Sequence, residues 1–195
     1  MEQITLNNKL ECPVIGIGTF MLSPAEAENS VREALKMGYH LIDTANAYVN
    51  ERAVGRGMKD SGVSREKIFL STKLWPSEYE NENAVDETLE RLGVEYVDLL
   101  YIHQPAGNWL AGYRQLEKAY KEGKAKSIGI SNFEGTPFFV KNVILNGYDY
   151  AFFARMASRI RFSPVSMMER GIARFRRMNR FAFPTNRASP PSRRG

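Results

Sequence analysis

The chain is poor in the features that would send it outside the cell or into a membrane. One cysteine, Cys12, stands among 195 residues, so no internal disulfide forms and nothing calls for an oxidising compartment. Its thiol reads either as a reactive group or, more commonly for a lone cysteine, as a half-buried structural residue. The opening residues, MEQITLNNKLECP, show no basic start followed by an apolar run, so no signal peptide is expected. No stretch approaches the roughly 18 apolar residues of a membrane span. The cytosol is the expected location, and no membrane partner is expected.

Lysine and acid are scarce in one region only. Residues 151–195 carry no lysine and a single acid, Glu169, against 11 arginines, whereas residues 1–150 hold 16 Lys+Arg against 21 Asp+Glu. The net charge of +5 therefore joins a −5 region to a +10 region. This break suggests two parts, 1–147 and an Arg-rich tail, 148–195. Hydrophobic residues at 43% and charged residues at 25% are ordinary for a globular protein, and the length allows little more than one domain.

What is present is a rhythm. ITLNNKLEC reads as a hairpin about Asn7-Asn8, and Val14 to Phe20 as a first buried strand. Ser23-Pro-Ala-Glu26 is a capping box; behind it Ala27, Val31, Ala34 and Leu35 share a helical face that ends at Gly38. Strands HLIDTA, IFLSTKL, VDLLYIH and AKSIGISNF then alternate with helices over Asn50 to Gly62, Asn83 to Gly93 and Trp109 to Gly123. A fifth helix is expected over Val140 to Asn146. Continuous apolar runs imply strands buried on both faces, hence a parallel sheet covered by helices.

A doubly wound sheet and a (β/α)₈ barrel both accept this pattern. The first turn, GIGTFMLSP, lacks the third glycine of a dinucleotide-binding G-x-G-x-x-G. The residues with chemistry lie at the carboxyl ends of several strands, where barrels place their sites. The expected fold class is therefore α/β, of the (β/α)₈ TIM-barrel type. A full barrel needs about 250 residues, so the expectation is a partial barrel of about five βα units with an N-terminal hairpin.

Asp43, Tyr48, Lys73 and His103 end or follow these apolar runs. Together they can move a proton onto a carbonyl oxygen. A phenol is a poor acid, with an ordinary pKa near 10, and a neighbouring ammonium favours its deprotonated form. The ammonium needs a carboxylate partner if buried, and an imidazole can orient the carbonyl. Hydride must come from a bound donor, since no side chain delivers it. Each residue has a plainer alternative: Asp43 and Lys73 as an ordinary ion pair, His103 as a structural histidine, Phe20 and Trp75 as core filling.

Gly38 to Gly55, GYHLIDTANAYVNERAVG, resembles the first signature of the aldo-keto reductase superfamily. Lys124 to Phe133, KAKSIGISNF, resembles the motif holding its nicotinamide-binding Ser-Asn pair, and STKLW and LLYIHQP match its lysine and histidine segments. The nearest types are bacterial diketogluconate and glyoxal reductases, and the resemblance runs from about residue 3 to about residue 140. It implies Tyr48 as proton donor, Lys73 as its activating neighbour, Asp43 as partner of Lys73 and His103 as the orienting group. It implies Ser131 and Asn132, with Asp43 and Thr44, at the cofactor, and Phe20, Trp75 and His103 along the substrate pocket. The implied reaction is reduction of an aldehyde or ketone by NADPH, with NADH left open, and no metal. Gln104 stands where many members have tryptophan.

After about residue 142 the motifs stop. The family's glutamine-bearing strand and its basic pyrophosphate-gripping unit are not recognisable; an Arg-, Phe- and Pro-rich run follows, with one short helix expected around 167–178. A truncated or frameshifted product fits best. A basic tail on nucleic acid and a half barrel completed by another chain are the other two readings. The tail itself reads as disordered or loosely helical, nucleic acid as a poor fit, and self-association through open barrel edges as a consequence.

Overall fold

The computed structural model describes residues 2–133. The helix expected over 140–146, the boundary near 147 and the tail 148–195 lie outside the described residues.

The first two strands, β1 (Gln3–Thr5) and β2 (Glu11–Pro13), form the predicted hairpin, with Ile4 opposite Cys12. Its turn is centred on Asn7-Asn8, but Lys9 takes the left-handed position (φ 70°) and closes the loop on Leu6. That is the three-residue hairpin geometry, which does not need the Asn-Gly pair of a tighter turn.

Alternating strands and helices follow: β3 (Gly16–Gly18), α1 (Pro24–Lys36), β4 (Leu41–Asp43), α2 (Glu51–Ser61), β5 (Phe69–Leu74), α3 (Ala84–Leu92), β6 (Leu99–Ile102), α4 (Trp109–Lys121) and β7 (Ile128–Ile130). Strands β3 to β7 pair in parallel and in chain order. A doubly wound sheet reverses its order at a switch point; this sheet does not, as expected of successive barrel units. The strand predicted over 14–20 shrinks to three residues. Its end is pulled out of the sheet because Leu22 N–H donates back to the Thr19 carbonyl and Met21 turns left-handed (φ 60°).

Local signals set the helix ends. Ser23 and Glu26 complete the capping box, Ser23 N–H donating to Glu26 Oε2 at 2.9 Å and Glu26 N–H to Ser23 Oγ at 3.3 Å. Gly62 and Gly93 end α2 and α3 at φ +74° and +66°, a region that glycine enters without strain. Helices α1 and α2 pack closely at Gly57, where an added Cβ would stand 2.5 Å from the Glu28 carbonyl oxygen.

The strand period of two sorts the core into two layers. Ile42, Leu70, Leu100 and Ile102 join Val31, Leu35, Val54, Leu89, Leu92 and Leu116 between sheet and helices. Leu41, Phe69, Leu99 and Tyr101 face the opposite way and pack with Cys12, under Ile4, Leu6 and Leu10 of the hairpin. The hairpin thus covers the amino-terminal end of the inner face. Cys12 is buried there, and burial pushes its thiol up to about 12, so the structural reading of this cysteine holds over the reactive one. At the same end the buried Asp98 accepts from Leu70 N–H and pairs with Arg65 (2.8 Å) and Lys126 (3.1 Å), tying β5, β6 and β7 at their starts. Among the described residues no helix is long and apolar enough to cross a membrane.

Candidate active site

Continue along the inner face toward the strand carboxyl ends and the residues become polar. Asp43 lies two residues beyond Leu41; Ser71 and Lys73 follow Phe69; His103 follows Tyr101; Ser131 follows Gly129. Register aligns Asp43 with Ser71, and Lys73 with Tyr101, on neighbouring strands.

Lys73 and Asp43 are both buried, and their closest atoms stand 2.6 Å apart. The other carboxylate oxygen accepts from Ser71 Oγ at 2.6 Å. The ammonium has three hydrogens and three neighbours: Asp43 Oδ2, the Thr44 carbonyl at 2.9 Å and Tyr48 Oη at 3.5 Å. A buried charge pair is tolerable only with such complete partnering. Here the partnering also aims the positive charge at one phenol.

That phenol is delivered by a short 3₁₀ turn, Asn46–Tyr48, which leaves Tyr48 half-buried. Four rings form an arc about it. Phe20 lies 5.1 Å from Tyr48, Tyr48 lies 5.8 Å from His103, and His103 lies 4.9 Å from Trp75, centroid to centroid. Phe20 and Trp75 are 58% and 38% exposed, so they border an opening and do not fill core. Asn46 Oδ1 fixes Trp75 by accepting its backbone N–H at 2.9 Å.

Desolvation, and then the nearby Lys73 ammonium, lower the His103 pKa from 6.5 to about 4. At neutral pH the imidazole is uncharged and has one N–H to give. Its Nδ1 is buried without a hydrogen-bond partner. Two clamps hold its strand end. Asn132, left-handed at φ 60°, donates from Nδ2 to the His103 carbonyl at 2.8 Å, and Tyr79 Oη donates to the Gln104 carbonyl at 2.8 Å while accepting Gln104 N–H at 3.0 Å.

Asn132 also donates to Ser131 Oγ at 3.1 Å. Both amide hydrogens are thereby used within the protein, leaving the Asn132 carbonyl as acceptor and the Ser131 hydroxyl as donor. That pair complements a carboxamide, which offers one donor and one acceptor, so these residues fit a nicotinamide. Thr44, expected beside the cofactor, has a fully buried side chain whose hydroxyl sits 2.9 Å from that of Thr19; its offering to the site is the carbonyl on Lys73. Among the described residues no three His, Cys, Asp or Glu cluster to hold a metal.

The structure therefore brings Asp43, Tyr48, Lys73, His103, Phe20 and Trp75 into one cluster, with Ser131 and Asn132 beside His103. It adds residues that the sequence does not single out: Ser71, Asn46, Asn50, Thr19 and Tyr79. Only Ser71 had a local signal, lying two residues before Lys73 on the same strand face.

Parallel barrel strands that carry an Asp-Lys-Tyr-His cluster at their carboxyl ends define a class of barrel protein. The chain belongs to the aldo/keto reductase family, whose domain matches residues 14–137. An aldo-keto reductase of Mycobacterium sp. strain MCS is 42% identical over 171 residues, taking in 85% of this chain and 58% of that protein. Glyoxal reductase of Bacillus subtilis is 43% identical over 138 residues, 68% of this chain and 50% of the relative. A Bombyx mori aldo-keto reductase solved in complex with NADP matches with a TM-score of 0.66 at 31% identity, covering 76% of this chain and 55% of that one. These likenesses establish the (β/α)₈ type. The chain spans about half the length of the curated relatives it matches. The mycobacterial match takes in too much of the chain to stop at residue 142, so the likeness runs past the point where the motifs give out.

Proposed function

We propose that the chain reduces an aldehyde or ketone to its alcohol, with Tyr48 as the proton donor. The observation that carries this is the Lys73 ammonium, paired with Asp43 at 2.6 Å and 3.5 Å from the Tyr48 hydroxyl, across the opening from a neutral His103. His103 gives a hydrogen bond to the substrate carbonyl oxygen and sets its orientation. Tyr48 passes its proton to that oxygen, and the ammonium of Lys73 stabilises the phenolate left behind. Asp43, itself held by the Ser71 hydroxyl, pairs with the ammonium and aims it. Ser131 and Asn132 take the carboxamide of NADPH, which, when bound, supplies hydride to the carbonyl carbon. The solved relative's NADP supports this cofactor. The Bacillus glyoxal reductase supports small aldehydes, and Phe20 and Trp75 border the substrate.

Turnover by this chain is proposed to be weak. The family domain's match ends at residue 137, and the sequence after it, although similar to the mycobacterial relative past residue 142, shows no recognisable pyrophosphate grip. The compartment is taken as the cytosol. Among the described residues β3 and β7 each pair on one side only, so self-association through sheet edges is the proposed oligomeric behaviour; a single monomeric boundary in sedimentation would reject it. The test of function is NADPH consumption at 340 nm with methylglyoxal. Turnover lost in Tyr48→Phe supports the reading, and turnover unchanged by that substitution overturns it. The net +10 of residues 151–195 favours a second reading, a polyanion-binding tail, which a salt-independent or absent gel shift would remove.

A further inference from the structure

We infer that Asn50 is a positioning residue that holds the Tyr48 phenol and the Phe20 wall in one fixed relation, an inference that rests on the reductase reading above. Asparagine before a helix ordinarily caps it. Asn50 occupies the N-cap of α2, yet its side chain makes no capping bond. It is 1% exposed, and its amide is turned away from the helix. Nδ2 donates to the Thr19 carbonyl at 2.9 Å and to the Leu22 carbonyl at 3.0 Å. Oδ1 lies 3.3 Å from both the Thr19 and Thr44 hydroxyls, which are 2.9 Å from each other. One buried amide thus spends its whole hydrogen-bonding capacity on the 19–22 loop and on residue 44.

That loop carries Phe20, whose ring meets Tyr48, and Met21, left-handed at φ 60°. The chain between Tyr48 and Asn50 is strained as well. Val49 is β-branched, 83% exposed and left-handed at φ 58°, ψ 24°, a conformation that such residues rarely enter. Two turn bonds hold it on one side, Tyr48 N–H to Ala45 O and Val49 N–H to Asn46 O. The anchored Asn50 holds it on the other. Released at Asn50, Val49 would relax and both Tyr48 and the loop would lose their reference.

Asn50→Asp tests this in the full chain. Aspartate caps helices as well as asparagine does, so a capping role would survive, whereas the two donors facing the Thr19 and Leu22 carbonyls would be lost. The expected result is amide exchange faster by about tenfold or more in peptides covering 19–22 and 44–49, with peptides of α2 beyond Val54 unchanged. KM for methylglyoxal should rise and kcat fall together, lowering kcat/KM roughly 10- to 100-fold. Thr44→Val, which removes one arm only, should move exchange in the same two peptides by a smaller factor and keeps the test open if Asn50→Asp folds poorly. Exchange at 19–22 equal to the unsubstituted chain in either variant, or a fall in kcat alone with KM unchanged, would overturn the inference. Turnover insensitive to Tyr48→Phe would sink the reductase reading instead, and the exchange result would still decide the clamp.

Discussion

The two ends of the same inner sheet face are built for opposite purposes. At the amino-terminal end Leu41, Phe69, Leu99 and Cys12 form a dry layer sealed by the hairpin, and the charged groups behind it are paired. At the carboxyl end, two or four residues further along the same strands, Asp43, Lys73 and His103 stand beside an opening rimmed by Phe20 and Trp75. The lesson is one of position along a strand. A residue step of two keeps the face and changes the solvent, so one strand supplies stability from its start and chemistry from its finish.

Substitutions at either end test that division. The largest effect belongs to Tyr48→Phe, which should cut carbonyl reduction by roughly 10²- to 10⁴-fold while lowering the thermal midpoint only slightly, through the loss of the longest of the three Lys73 contacts; stopped-flow or steady-state assays with a melt on the same sample check both halves. Phe69→Ala should do the reverse, costing about 3–5 kcal/mol in urea unfolding through the cavity left under the hairpin.

His103 gives a pH signature intermediate in size. Its folded pKa of about 4 lies below the ordinary 6.5, so the unfolded state binds a proton that the native state refuses. Stability is therefore full above about 6.5 and drains as pH falls toward about 4; His103→Asn should flatten that part of a stability-against-pH curve. Smaller still, Ser23→Ala should cost about 1 kcal/mol with activity untouched, since the capping box lies on the exposed start of α1.

Much of this is legible in the amino-acid sequence. Gly62 and Gly93 announced helix ends because only a left-handed residue continues the chain there, and both adopt it. Asp43, Lys73 and His103 were visible as polar residues closing apolar runs, since strand periodicity alone puts them on the inner face. The rest depended on distance in sequence. Ser71 reaches Asp43 across 28 positions, Asn50 reaches Thr19 across 31, and Tyr79 reaches Gln104 across 25. No local pattern marks such partners. Asn50 even carried the wrong local signal, that of a helix cap. The first strand is shorter than its apolar run for a similar reason: the run continues to Phe20, but the chain turns after Thr19 through the Leu22 N–H to Thr19 carbonyl bond, and the distant Asn50 anchors that turn at the Thr19 and Leu22 carbonyls.

Tyr79 takes hold of position 104 by its main chain alone, through both the N–H and the carbonyl. The side chain at that position is therefore exempt from the work of keeping His103 in place. No side-chain hydrogen bond of Gln104 contributes to that hold. Under the reductase reading, substitutions at position 104 that keep the backbone N–H should alter substrate preference with little change in the melt, whereas proline, which removes the donor to Tyr79, should not be tolerated.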